Sequence, residues 1–444
     1  MIDLDLPPPA PAAGAPRPRL APGVGRPAIA AALLLAVLLT LGGAEPAAPG
    51  LRLVLSVGDD GAALAYAVST TALFAVVPGS QPDSRSELRR YALSEGSPRW
   101  AVRAPHSVQG LLLAEAAHVL IATSGGGPEV SFLDADTGRV LWRMPAVDFD
   151  RTAVVDTGLL SVITDRGGGD AGVGGSAELR MADLRTGRTI WSRAFPSIAH
   201  LGTGEPASGP PTRAVVVTSA GRATVLDTAD GAELGGADLG VRLPVQPGDG
   251  RGDLTDIMSI DNRLYVVRRV GGATSISAYA GDDLRLRWRV TDQPYGILSA
   301  CGPVLCLDTG DAIVALDARD GSQRWTDTSR AVAVAVDAPD ARAFLVASTE
   351  SGALDVLDPA TGRVQQPLGD GRVVDRLVLR PDKLAPGRTW VAALDADGAF
   401  HGLGWTDIGA ADGCDAAGRY LACATESGTI SVWQLPAGVA GGAR

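Results

Sequence analysis

Lysine is almost absent from this 444-residue chain: of its 39 basic residues, only Lys383 is not arginine. So uniform a use of arginine marks genome composition, not an arginine-based binding code. Asparagine occurs once, at Asn262, which leaves amide-assisted metal sites poorly supplied. The four histidines, His106, His118, His200 and His401, are scattered without metal-ligand spacing. Aromatics make up only 5% of residues. Positive charge is outweighed, with a formal net charge of −11 and a sequence pI of about 4.9. Such a chain is repelled by phosphate backbones, so nucleic acid is excluded as an expected partner. No stretch between the apolar runs reads as a long, capped amphipathic helix. Glycine (56) and proline (30) are plentiful. With short apolar runs they favour tight turns and β-structure.

The N-terminus has a different composition from the rest. Residues 1–27 are Pro- and Ala-rich, bury almost nothing, and are expected to be a disordered cytoplasmic leader. A charge-free stretch, 28–44, follows Arg17, Arg19 and Arg26. It is just long enough for a transmembrane signal-anchor helix, and the arginines before it put the N-terminus inside and the remainder outside. A cleaved signal peptide is the alternative. Residues 45–50 read as a linker and 439–444 as a flexible tail. The expected location is therefore the cell membrane, single-pass, with 51–438 on the extracytoplasmic side.

Across 51–438 one unit recurs: an apolar strand, a turn, a strand ending near Asp, a turn closing on Gly, and often Trp. It appears at 72–100, 118–142, 159–191, 214–234, 263–288, 304–325, 343–364, 390–409 and 420–438. Most starts lie about 39–55 residues apart, near the length of a four-stranded propeller blade. Asp134, Asp183, Asp227, Asp317 and Asp358 each precede a glycine by four residues: Gly138, Gly187, Gly231, Gly321 and Gly362. The Asp side chain can bond the amides just ahead, and Gly supplies the φ > 0 position of the reversal. Trp142, Trp191 and Trp325 share one offset from their Asp, and Trp288 closes its unit similarly. An aromatic there is expected to fill the wedge between blades. Units four and seven have LGGA (234–237) and QQPL (365–368) instead, so docking is expected to be imperfect there.

The stretches FLDADTGRVLW (132–142), MADLRTGRTIW (181–191) and ALDARDGSQRW (315–325) resemble the tryptophan-docking repeat of PQQ-like quinoprotein propellers. ATESGTISVWQL (424–435) leans towards a WD40-type repeat. The resemblance spans roughly 60–438. It implies an all-β β-propeller, for which eight blades are expected with seven as the alternative. LRLVLSV (51–57) could complete the last unit. For catalytic members the resemblance implies pyrroloquinoline quinone against a disulfide of adjacent cysteines, a Ca²⁺ and an Asp base. Here no cysteines are adjacent. Members without cofactor serve as binding scaffolds.

The expectation is thus a membrane-tethered, non-enzymatic scaffold or sensor without cofactor, binding protein partners of the cell envelope. A quinoprotein dehydrogenase is the alternative. Cys301 with Cys306 and Cys414 with Cys423 are candidate disulfides, since an outward compartment permits them. LDADGAF (394–400) carries half a calcium loop and reads as a turn. DRGGGDAGVGG (165–175) and GDGRGDLTD (248–256) read as long loops. Arg268 and Arg269, in an otherwise apolar strand, suggest either a charge-protected edge or a polar ring at the propeller mouth that binds an anionic ligand.

Overall fold

The computed structural model describes residues 50–439, apart from 59–64, 79–85, 106, 125–128, 146–150, 165–175, 204–210, 244–253, 338–342, 350, 395–398, 409–412, 426 and 438. Pro49–Arg444 forms one compact unit. Its described residues build nine four-stranded sheets, all strands antiparallel to their neighbours. Blades 1–8 are meanders of consecutive strands: 65–103, 110–145, 152–195, 200–238, 254–293, 297–327, 332–370 and 372–406. Blade 9 takes three strands from 413–434. Its fourth, Arg52–Val57, comes from the start of the propeller and pairs with Ile430–Gln434.

Burial explains the strand sequences. A second strand such as Ala72–Val77 is buried at all six positions, because both faces pack against other blades. It therefore reads as a continuous apolar run. A fourth strand such as Thr189–Phe195 is largely exposed and alternates. First strands of successive blades approach one another, as between blades 1 and 2 or 6 and 7, so they line the ring's axis. Every seam between consecutive blades holds an apolar cluster. The seam that closes the ring packs Val57, Tyr420 and Val432 of blade 9 on Leu73, Ala75 and Leu93 of blade 1. Each such Leu or Val contributes about 1.5–3 kcal/mol when fully buried.

Five seams carry a second device. The Asp134 carboxylate accepts the N–H groups of Asp136 (3.2 Å) and Thr137 (3.0 Å), and the Gly138 N–H closes on the Asp134 carbonyl at 2.8 Å. The Asp183, Asp227, Asp317 and Asp358 carboxylates bond amides just ahead in the same way. Gly187 has φ +68°, and a Cβ there would lie 2.6 Å from the Trp142 ring. Gly therefore serves twice, for the turn and for the neighbour's indole. The Trp142 indole N–H donates to the Leu184 carbonyl at 2.8 Å. Trp100, Trp191, Trp288 and Trp325 donate likewise to Ala135, Thr228, Ala318 and Pro359 of the next blade. Gly235 of blade 4 and Gln366 of blade 7 stand in place of Trp.

Two expectations are corrected. The blade count is nine, not eight or seven. The unit at 390–409 begins on the third strand of its blade, and the short unit at 420–438 lacks a strand, not a blade. The described residues are all-β, and among them no helix is long and apolar enough to cross a membrane. The leader 1–27, the stretch 28–44 and most of the linker lie outside the described residues, as do 165–175, the Arg-Gly-Asp triplet 251–253 and the Asp pair at 395 and 397.

Candidate interaction surface

The residues singled out in the sequence do not converge on one site. Asp134, Gly138, Trp142, Asp183, Gly187, Trp191, Trp288, Asp317, Gly321, Trp325, Asp358 and Gly362 are spread over five blades, each in a turn or a seam. Trp100 has the same role and was not singled out. Its turn starts at Ala92 instead of Asp, although the Gly96 N–H still closes on the Ala92 carbonyl at 2.8 Å. The Cys301 and Cys306 Sγ atoms are bonded at 2.04 Å, joining the first two strands of blade 6. Cys414 and Cys423 are bonded across directly opposed positions of blade 9. Cys301, Cys306 and Cys423 are buried in seam cores. Neither bridge joins adjacent cysteines, the arrangement the resemblance implies against a quinone.

The strand holding Arg268 and Arg269 is no edge. Arg263–Val270 is paired on both sides. Arg269 lies 5.7 Å from the ring centroid of Tyr295. The Tyr295 hydroxyl donates to Asp256 at 2.6 Å, and that bond, with burial, pushes the phenol up to about 12. His200, on the first strand of blade 4, has its Nε2 3.4 Å from Ser259 Oγ of blade 5. Burial lowers its pKa to about 4, so the ring is neutral.

Exposed aromatics concentrate on blade 8. Trp390 and Trp405 sit directly opposite each other on its last two strands and are 46% and 45% exposed. Arg380 is the partner of Trp390 on the other side, so Arg380, Trp390 and Trp405 form a row across one face. Above Trp405 the Arg388 guanidinium lies 3.9 Å from the ring centroid. Beside the row is a cavity of about 520 Å³ lined by Gly369, Asp370, Arg380, Asp382, Lys383 and Trp390. It opens at the seam with blade 7, where no tryptophan docks. Lys383 is ion-paired with Asp370, whose carboxyl it holds below the usual range. The Leu384 and Ala385 amides do the same for Asp382, at 2.9 and 3.2 Å. Leu384 is 96% exposed. Tryptophan and arginine together, partly bare and framed by charge, have the composition of a binding hot spot.

The family described as outer membrane protein assembly factor BamB, a PQQ-like repeat family, matches residues 67–203, 175–305 and 219–381 in overlapping copies. No curated protein matches the chain. Among solved structures, BamB from Moraxella catarrhalis is 16% identical with a TM-score of 0.47, covering 86% of this chain and 99% of that one. The computationally designed Ika8 protein is 14% identical at a TM-score of 0.44, over 86% and 99%. Saccharomyces cerevisiae Sqt1 is 10% identical at 0.45, over 87% and 100%. Because the matched copies span more than half of the sequence and fall on the repeat whose turns and tryptophans hold the seams together, the chain belongs to the BamB-like family of PQQ-repeat β-propellers.

Proposed function

We propose that this protein is a non-catalytic scaffold that binds protein partners of the cell envelope through the outer face of blade 8. The observation that carries the reading is the exposed Trp390–Trp405 pair flanked by Arg380 and Arg388. Aromatic and arginine side chains dominate protein-binding energetics, and a rigid ring presents them without an ordering cost. Family membership supports protein binding in general. The bonded cysteine pairs support a location outside the cytoplasm, where such bonds persist. The apolar stretch 28–44 supports delivery to the membrane, by export or by tethering.

The test is in-cell photo-crosslinking from position 384 of the full chain, with and without W390A/W405A. The expected result is a defined set of envelope proteins, captured about 30-fold less by the double variant, as for losing a hot spot of about 2 kcal/mol. Undiminished capture by the double variant would overturn the reading. So would dye reduction with alcohols or sugars after adding PQQ and Ca²⁺.

A further inference from the structure

The repeat allows each seam to be compared with the others, position by position. At the seam of blades 2 and 3, Arg185 sits two residues after Asp183 and reaches back to the preceding blade. Its Nη2 is 2.6 Å from Asp134 Oδ2, and its Nη1 donates to the Ala117 carbonyl at 3.1 Å. Asp134 is buried there, so the pair locks the two turns together.

At the seam of blades 5 and 6 the same arginine is present and its carboxylate is missing. Arg319 follows Asp317 by two residues, as Arg185 follows Asp183. Trp288 docks on the Ala318 carbonyl as Trp142 docks on that of Leu184, so the two seams share one geometry. The position of Asp134 is taken by Ala280. The equivalence rests on two bonds. The Ala280 N–H donates to the Arg285 carbonyl and the Leu284 N–H to that of Ala280, each at 3.0 Å. They repeat Asp134 with Arg139 (2.9 Å) and Gly138 with Asp134 (2.8 Å). Ala280 has no side-chain oxygen, and Arg319 makes no side-chain hydrogen bond or ion pair with a described residue.

A cavity of about 500 Å³ opens at this place, lined among others by Asp261, Arg263, Tyr265, Asp317, Arg319 and Arg324. The Asp317 carboxylate is already engaged, bonded to Arg324 and to the Arg319 amide. Arg263 donates to the Ala318 carbonyl at the cavity wall. Asp261 forms no ion pair with a described residue. Three guanidiniums against two carboxylates leave the pocket positive within a chain of net charge −11.

We infer that this pocket binds a carboxylate side chain from an acidic segment of a partner protein, which takes the place that Asp134 fills in the other seam. The inference rests on the scaffold reading and adds a second contact to it. Arginine suits this ligand because its planar fork meets a carboxylate with two parallel bonds.

The test uses the full chain and a fluorescein-labelled hexaglutamate peptide, with hexaglutamine as control, read by anisotropy. Hexaglutamate is expected to bind and hexaglutamine not. Arg319→Ala is expected to weaken hexaglutamate at least tenfold. Ala280→Asp, which restores an internal carboxylate, is expected to do the same while raising the melting temperature, so a misfolded variant is not mistaken for a blocked one. Equal binding of both peptides, or full hexaglutamate binding by Ala280→Asp, would refute the site. Displacement of hexaglutamate by inorganic phosphate at concentrations where acetate is inert would make it a phosphate site and refute it too. Hexaglutamate binding that survives in W390A/W405A while partner capture is lost separates this pocket from the blade 8 surface.

Discussion

A single tryptophan illustrates how stability is distributed in this ring. Trp142 stacks on Phe132 of its own blade, centroids 3.8 Å apart, bonds the Leu184 carbonyl and lies under Gly187 of the next blade. Trp142→Ala is expected to cost about 3 kcal/mol, the low end for a large aromatic because the ring is half-buried. Gly187→Ala attacks the same contact from the other side. Chemical denaturation of both variants checks this, with partner binding expected to be unchanged. His200 makes stability depend on pH. Its pKa falls from 6.5 unfolded to about 4 folded, because burial disfavours the charged ring. The unfolded chain therefore takes up the extra proton. His200 leaves stability whole above pH 6.5 and erodes it as pH falls towards 4, by at most about 3 kcal/mol. His200→Gln should flatten that slope in melting temperatures taken between pH 7 and 4. The turns were legible in the sequence because an Asp and a Gly four residues apart act locally. Trp100 was not, because Ala92 stands where the pattern expects Asp.

At the scale of elements, the hairpins and the seams differ in what one sequence reveals. Apolar runs and turn residues mark each hairpin, so most strands could be read directly. Strand register is non-local. Nothing in the spacing of Trp390 and Trp405 announces that they face each other with Arg380 alongside. The bare arginine at 319 emerges only when two seams about 130 residues apart are compared. The cysteine bridges act within single hairpins. Each closes a short loop, Cys301–Cys306 spanning a sequence separation of 5 and Cys414–Cys423 one of 9. Restricting loops this short in the unfolded chain contributes only about 2–3 kcal/mol apiece. Reduction by dithiothreitol should therefore lower the melting temperature without abolishing folding, while loss of all structure on reduction would give the bridges a larger role.

The whole molecule is a ring of nine blades, closed by the N-terminal strand that the sequence offered for the last unit. A short final unit suggested fewer blades, but the ring supplies the missing strand from 52–57. Nine hairpin units therefore correspond to nine blades. Removing residues 50–57 should expose the edge of Ile430–Gln434 and the face of blade 9 that now packs on blade 1. Aggregation at concentrations where the intact chain is monomeric is the expected outcome, seen by light scattering.

Ser56 and Ser431 face each other across that closing pair with hydroxyls 3.3 Å apart, although 375 residues separate them. During synthesis, Arg52–Val57 is among the first stretches of the propeller to be made, and its partner among the last. At ribosomal speeds of about 5–20 residues per second the strand waits some 20–75 seconds for that partner. For that interval the growing ring has an unpaired strand at one end and an uncovered blade at the other. The demand for protection by chaperones is therefore set by ring closure and ends abruptly with it.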